Sequence, residues 1–201
     1  AELNYVLADS KSSYLILDES CLSSFQGMTH KPNRLADSHI VLRTDQQNDN
    51  SVLADFNQLL ETGDPDFSPK QLVCLDDLLQ IQYTSGTTGF PKGCMQSHRF
   101  WLIASLVASR GHGMEVTNIL VTFPLFYLDP QLQVLTALHG GGTAFIARQH
   151  SLKAFVGWIK EFKIHLATIT PPVYHAIEAR PDDAENDLRF IAAFYHKEDT
   201  H

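Results

Sequence analysis

The stretch that decides the fold is "IQYTSGTTGFPKGCMQSHRF", residues 81–100, where hydroxyl side chains and glycines follow directly on an apolar run. The letters that lead into it, "DDLLQIQY" from residue 76, are typical of a β-strand. In α/β sheets, ligands lie beyond the carboxyl ends of the strands, where the chain turns toward a helix. We therefore predict a ligand-binding loop here.

The residue types of this loop suit a polyphosphate. Glycine has no Cβ, so the backbone can come close to an anion and turn its N–H groups toward it; the glycines are Gly86, Gly89 and Gly93. Hydroxyl groups bind phosphate oxygens without adding charge; they come from Thr84, Ser85, Thr87 and Thr88. Pro91 stiffens the chain just before Lys92, which supplies a mobile cation. These features predict a cradle for the phosphates of a nucleotide.

The loop is not a Walker loop. That pattern is GxxxxGK[ST], whereas here Phe90 and Pro91 follow Gly86 at the fourth and fifth places, and no hydroxyl follows Lys92. The spacing excludes the P-loop ATPases.

Strand-like and helix-like segments alternate along the whole chain, which predicts parallel sheet. The fold class is α/β, with two packed, mainly parallel sheets flanked by helices. We predict a first subdomain over residues 1–118, which holds the phosphate-binding loop 84–93, and a second, incomplete one over 119–201. A buried helix is expected from about Ser97, as its N-cap, to Gly111. Further helices are expected with Asp129 and with Ser151 as N-caps, and a last one over "PPVYHAIEAR".

Composition narrows the class of partners. The formal net charge is -8, which argues against a nucleic acid or an anionic membrane surface as the main partner. No apolar run approaches the ~20 residues of a membrane span. Three cysteines at irregular spacing indicate a reducing, cytoplasmic setting, and each is expected to be a small buried residue. The cysteines and histidines show no metal-ligand spacing, so no metal ligand is assigned.

The run "YTSGTTGFPKG" followed by "SH" resembles the phosphate-binding signature of the AMP-forming adenylate synthetases. That superfamily holds acyl-CoA synthetases, adenylation domains of peptide synthetases and firefly-type luciferases. The resemblance implies that a carboxylate attacks Mg-ATP to give an acyl-adenylate, and that coenzyme A then displaces AMP. It assigns catalysis to Lys92 and Thr84. The residues it assigns to the ATP phosphates are Thr84, Ser85, Gly86, Thr87, Thr88, Gly89 and Lys92.

The second half is similar to the acyl-CoA synthetases in "PLFY" and "TPPVYHAI", and "LRFIAAFYH" resembles the carnitine and crotonobetaine type of CoA ligase. Tyr127 stands where many relatives carry a histidine, so the resemblance implies a wall of the substrate pocket without acid–base work. The segment "IAAFYH" replaces the glycine-rich turn that many relatives place beside the adenine.

The later motifs of the superfamily do not occur in these residues. The resemblance therefore implies an internal piece of a ligase, without the C-terminal lid domain and inactive alone. Two alternatives stay open: an adenylation module that loads a carrier protein, and a nucleotide-binding remnant without turnover. The acid and the oligomeric state are not indicated by the sequence.

Overall fold

The computed structural model describes residues 2–33, 35–45, 53–84, 89–111, 116–170, 173, 175 and 185–193. Six α-helices lie in these ranges: α1 (Glu2–Asp9), α2 (Leu22–Gln26), α3 (Phe56–Thr62), α4 (His98–Arg110), α5 (Leu128–His139) and α6 (Leu152–Glu161). Nine strands accompany them: β1 (Leu15–Asp18), β2 (Ile40–Arg43), β3 (Ala54–Asp55), β4 (Leu78–Thr84), β5 (Lys92–Ser97), β6 (Asn118–Val121), β7 (Thr143–Ile146), β8 (Leu166–Ile169) and β9 (Phe190–Ala193). The helix predicted for "PPVYHAIEAR" falls mostly outside the described residues.

The chain forms two compact units. The first comprises Ala1–Cys74 and Tyr83–Met95, and the second comprises Leu75–Gln82 and Gln96–His201. The subdomain division expected at residue 118 stays a prediction.

The first unit is built around the parallel sheet β1-β2-β3. β1 pairs with β2 from Leu15 opposite Ile40 onward. Leu17, Ile40 and Leu42 form its core with Phe25 of α2. Burial of these side chains at about 25 cal/mol per Å² is the main force that holds the sheet to its helix.

The second unit contains the four-stranded sheet β7-β6-β8-β9, in which every strand pair is parallel. Ile119 and Val121 of β6 lie in one apolar cluster with Ala137 of α5. The alternate residue, Leu120, lies in another cluster with Phe155 and the rest of the α6 face. Because successive side chains of a strand point to opposite faces, α5 and α6 cover opposite faces of this sheet. The predicted α/β class, with parallel sheets flanked by helices, is confirmed.

Close backbone approach fixes the start of β7. A Cβ added at Gly142 would lie 1.9 Å from the carbonyl oxygen of Thr117, next to β6. The N–H of Thr143 donates to that same oxygen at 2.7 Å. The glycine run after α5 is therefore required by packing between neighbouring strands, beyond its role as a helix stop.

Helix starts follow the sequence signals in two of three cases. Ser97 caps α4 and Ser151 caps α6, since each side chain accepts the N–H three residues on. The prediction for Asp129 is wrong, because α5 begins at Leu128 with Tyr127 as its N-cap. Asp129 lies instead within the first turn, where a negative charge is favoured by the helix dipole.

Two burial predictions are also wrong. α4 buries Trp101 and Ser105, but Phe100, Ile103 and Val107 are 42%, 53% and 62% exposed. The helix packs against α5 along one face. Its other face is also apolar and is exposed. All three cysteines, Cys21, Cys74 and Cys94, are exposed rather than buried.

In the ranges that the structure describes, no helix combines the length and the apolar character needed to cross a membrane.

Candidate active site

The hydroxyl-rich segment lies between two hydrogen-bonded strands. Thr84 is the last residue of β4, and Lys92 is the first residue of β5. The sequence predicted a loop through residue 93, so β5 was missed. Of the predicted phosphate-binding residues, Thr84, Gly89 and Lys92 are described and all three are exposed. Ser85, Gly86, Thr87 and Thr88 lie outside the described residues.

Gly89 explains why the segment needs a glycine at this place. Its φ is +126°, a conformation that residues with a Cβ rarely adopt. Apart from its two chain neighbours, no described residue has an atom within 4 Å of the place where a Cβ would stand. The requirement comes from the backbone turn.

The charge at Lys92 is available to a ligand. The ion pairs found in the described ranges, Arg43–Asp18 and Arg99–Asp76, do not involve it. The side chain is exposed at the start of β5. An ammonium on a flexible stem in this setting can follow an anion at little cost in competing interactions.

The residue before the segment is fastened to the start of the chain. The Tyr83 hydroxyl donates a 2.7 Å hydrogen bond to the Asp9 carboxylate at the end of α1. Burial raises the pKa of Tyr83 to about 12, and the hydrogen bond to Asp9 and its negative charge act in the same direction. Tyr83 therefore stays a neutral donor at physiological pH.

The residue after the turn is held by the same helix. The rings of Tyr5 and Phe90 stack with centroids 5.0 Å apart and planes 25° from parallel. Tyr5 lies one turn before Asp9 on α1. We call Tyr5 and Asp9 the α1 anchor, because together they hold Phe90 and Tyr83 on the two sides of the segment.

A third set of contacts fixes the outer end of the strand pair. Arg99, in the first turn of α4, binds both carboxylate oxygens of Asp76 at 2.7 and 2.9 Å. The backbone N–H of Arg99 also donates to the carbonyl oxygen of Leu75 at 2.7 Å. Hydrogen bonds from Arg99 and its charge hold the pKa of Asp76 below its usual value. Arg99 thus links the first turn of α4 to the exposed Asp76, which comes just before β4.

Tyr127 lies in the second unit, at the turn that leads into α5. Its N–H donates to the Pro124 carbonyl at 3.1 Å, and its ring is 53% exposed. Gln82 of β4 donates to the Phe126 carbonyl at 3.0 Å, and Gln131 of α5 donates to the Leu125 carbonyl. Two glutamines therefore fix the turn, while the Tyr127 ring stays open to a ligand.

Comparison with known protein families decides the membership of the chain. The family model described as "AMP-binding enzyme" matches residues 1–197. The chain belongs to the AMP-binding enzymes. The similarity covers both units and includes the exposed Thr84, Gly89 and Lys92.

Relatives of this AMP-binding enzyme include CoA ligases. It is 34% identical over 127 residues to 4-coumarate–CoA ligase 3 of Oryza sativa, which covers 58% of the chain and 22% of that protein. It is 31% identical over 172 residues to a mitochondrial medium-chain acyl-CoA ligase of Danio rerio, which covers 80% of the chain and 28% of that protein. The chain thus spans 22% to 28% of the lengths of these two relatives.

The same architecture occurs in a solved structure. The inhibitor-bound N-terminal domain of FACL13 from Mycobacterium tuberculosis matches with a TM-score of 0.74 at 22% identity. The match covers 94% of this chain and 46% of that one. At this identity the likeness establishes the fold.

The α1 anchor could not be found from the sequence. Asp9 and Tyr83 are separated by 74 positions, and no local pattern links them.

Proposed function

We propose that the gene product containing these residues is an AMP-forming acid–thiol ligase. A carboxylate oxygen of the substrate attacks the α-phosphorus of ATP, the bond to the β-phosphate oxygen breaks, and pyrophosphate leaves. The sulfur of coenzyme A then attacks the acyl carbon of the adenylate, AMP leaves, and the thiol proton passes to solvent. The observation that carries this proposal is the glycine- and hydroxyl-rich segment, whose described residues Thr84, Gly89 and Lys92 are exposed, in a chain of the AMP-binding family.

Lys92 and Thr84 are the proposed catalytic residues. The Lys92 ammonium offsets the charge that builds up on the departing pyrophosphate, and the Thr84 hydroxyl donates to a phosphate oxygen. Preorganised donors of this kind stabilise the transition state most where charge develops. Ser85, Gly86, Thr87, Thr88 and Gly89 complete the proposed phosphate contacts. Tyr127 is proposed as a wall of the acid pocket.

Magnesium enters the proposal as part of the Mg-ATP substrate. Within the described ranges, no three residues among His, Cys, Asp and Glu come together as a cation site. The triphosphate itself supplies the oxygen ligands that Mg²⁺ prefers.

Coenzyme A is the proposed thiol because both relatives described above are named CoA ligases. The names "4-coumarate" and "medium-chain acyl" favour a carboxylic acid with a hydrocarbon tail, either aromatic or aliphatic. A place in fatty acid metabolism and a cytoplasmic location are part of the same proposal. We expect the 201 residues alone, a quarter or so of the relatives' lengths, to show no turnover.

The test is ATP–pyrophosphate exchange by the intact gene product with a panel of acids. Acid-dependent exchange is expected, and its absence with every acid would contradict the proposal. Product formation is then compared with coenzyme A and with a phosphopantetheinyl carrier protein. Transfer to the carrier but not to coenzyme A would support the adenylation module instead.

A further inference from the structure

An unusual stripe of α5 faces the sheet of the second unit. Residues at positions 129, 132, 133 and 136 recur at helical spacing, and all four line one cavity. A helix face that packs on a sheet is normally apolar, yet Gln133 and Thr136 are polar, and the exposed Asp129 continues the stripe at the start of the helix. Polar groups placed on an inward stripe suit a ligand better than they suit core packing.

The remaining walls of this cavity are mainly apolar. They come from β6, β8, β9 and α4, and include Ile119, Leu166, Thr168 and Ala108. The cavity has a volume of about 190 Å³. A dry protein cavity of roughly 150 Å³ accepts benzene, so this one has room for roughly six to eight non-hydrogen atoms.

Gln133 and Thr168 form a polar pair inside the cavity. The Gln133 side-chain amide donates to the Thr168 hydroxyl, which is 3% exposed. This leaves the Thr168 proton and the Gln133 carbonyl oxygen with no partner among the described residues. One donor and one acceptor therefore remain for a ligand at the same place.

Thr136 differs from this pair although it lines the same space. Its hydroxyl donates to the Leu132 carbonyl one turn earlier, at 2.7 Å. That bond uses its proton within the helix. Thr136 is therefore a matched control residue of the same cavity.

Another cavity of this unit gives a contrast. It has a volume of about 290 Å³ and is lined by apolar and aromatic residues such as Leu120, Phe145 and Trp158. A hollow of that kind offers no selectivity for a hydrogen-bonding group.

We propose that the cavity under α5 takes the tail of the acid and selects for its chemistry. Gln133 and Thr168 favour a short acid whose tail ends in a neutral hydrogen-bonding group, such as a hydroxyl or an amide, over an alkyl tail of equal size. Asp129, exposed near the start of α5, disfavours a second carboxylate. The carboxylate end of the acid should lie near Tyr127, the N-cap of α5. Tyr127 lies at the carboxyl ends of the parallel strands, where ligands enter. This inference rests on the proposed function.

The test compares two acids of equal size, 6-hydroxyhexanoate and heptanoate, by protein-observed NMR titration of the intact gene product. We expect the hydroxy acid to bind about tenfold more tightly, the gain of one or two neutral hydrogen bonds. Gln133→Leu combined with Thr168→Val should remove that preference, and Thr136→Val should leave it unchanged. Gln133→Glu should shift the preference toward 6-aminohexanoate, which gives a second readout if the double variant fails to fold.

Two outcomes would overturn the inference: a preference that the double variant and Gln133→Glu both retain, or a folded protein that binds neither acid. The binding measurement needs no turnover, so it is separate from the proposed function. Exchange activity with other acids together with no effect at Gln133 and Thr168 would remove this inference and leave the ligase proposal standing. Selective acid binding without any exchange would support this inference and contradict the ligase proposal.

Discussion

Tyr83, the residue before the hydroxyl-rich segment, donates a 2.7 Å hydrogen bond to Asp9, at the end of the first helix of the chain. Phe90, after the glycine turn, stacks on Tyr5 of that helix. One short helix therefore contacts the residues on both sides of the segment. The proposed phosphate-binding role requires fixed ends, because misplaced groups lose most of their catalytic effect.

The first prediction concerns the ionisation of Tyr83. Absorbance titration of the tyrosines should show one group with a pKa of about 12 that is missing from Tyr83→Phe. Asp9→Asn should lower this pKa but not to the ordinary value of about 10, because burial is the larger cause. No change with Asp9→Asn would contradict the hydrogen bond.

The same shift has a consequence for stability. The folded pKa of Tyr83 lies above that of the unfolded chain, so the contribution is complete below pH ~10. It is lost as the pH rises from ~10 toward about 12, where the folded state also releases the proton. Urea unfolding of the wild type and Tyr83→Phe at these pH values should converge, and a difference that grows with pH would contradict the sign.

The second prediction concerns the aromatic half of the α1 anchor. A double-mutant cycle with Tyr5→Leu and Phe90→Leu should give a coupling of about 0.5–1.5 kcal/mol in the free energy of unfolding. Phe67 is 75% exposed in the same unit and serves as the control. Tyr5→Leu with Phe67→Leu should give coupling near zero. Equal coupling in both cycles would mean that the stacking is not specific.

The third prediction concerns the ion pair between Arg99 and Asp76. The pKa of Asp76 is lowered in the folded state, so its contribution is present above pH ~4 and is lost as the pH falls below that. Asp76→Asn should lower the melting temperature slightly at pH 7 and low salt. The difference should shrink in 1 M salt and at pH 3 because the pair is exposed. A difference that is insensitive to both would point to a role other than charge.

The fourth prediction uses two glycines of the second unit. Gly142→Ala should destabilise by about 1–3 kcal/mol or more, because the new methyl group meets the Thr117 carbonyl. Gly157→Ala, within α6, meets no described atom within 4 Å beyond the backbone of its own helix and should stabilise by roughly 0.5–1 kcal/mol. Urea unfolding measures both, and equal effects would contradict the close approach of Gly142 to β6.

The sequence predicted well what is encoded locally. The alternation of strand-like and helix-like segments predicted the parallel sheets, and Ser97 and Ser151 marked two helix starts because a cap is a short-range interaction. Burial was predicted poorly, since the exposed face of α4 has the composition of a core helix and composition does not say which face finds a partner. β5 was missed because "KGCMQS" lacks a strand-like pattern and takes its conformation from pairing with β4.

The candidate site shows the same contrast between features encoded locally and contacts between distant residues. Glycines, hydroxyls and Lys92 form a dense local pattern, so the segment can be singled out from its letters, and its binding of phosphate stays a prediction. The α1 anchor and the Gln133–Thr168 pair join residues that are far apart in the chain, and they became visible with the fold. The polar residues of the inward stripe of α5 are a signal that helical periodicity could have detected.

The most direct test of the central claim is the rate of ATP–pyrophosphate exchange by the intact gene product with Lys92→Ala. Lys70→Ala, which removes an exposed lysine elsewhere in the first unit, is the control. If the segment binds the ATP phosphates, Lys92→Ala should lower exchange by roughly 10²–10³-fold, as loss of a preorganised charge donor does, while Lys70→Ala keeps the wild-type rate. An unchanged rate in a folded Lys92→Ala variant would contradict the account.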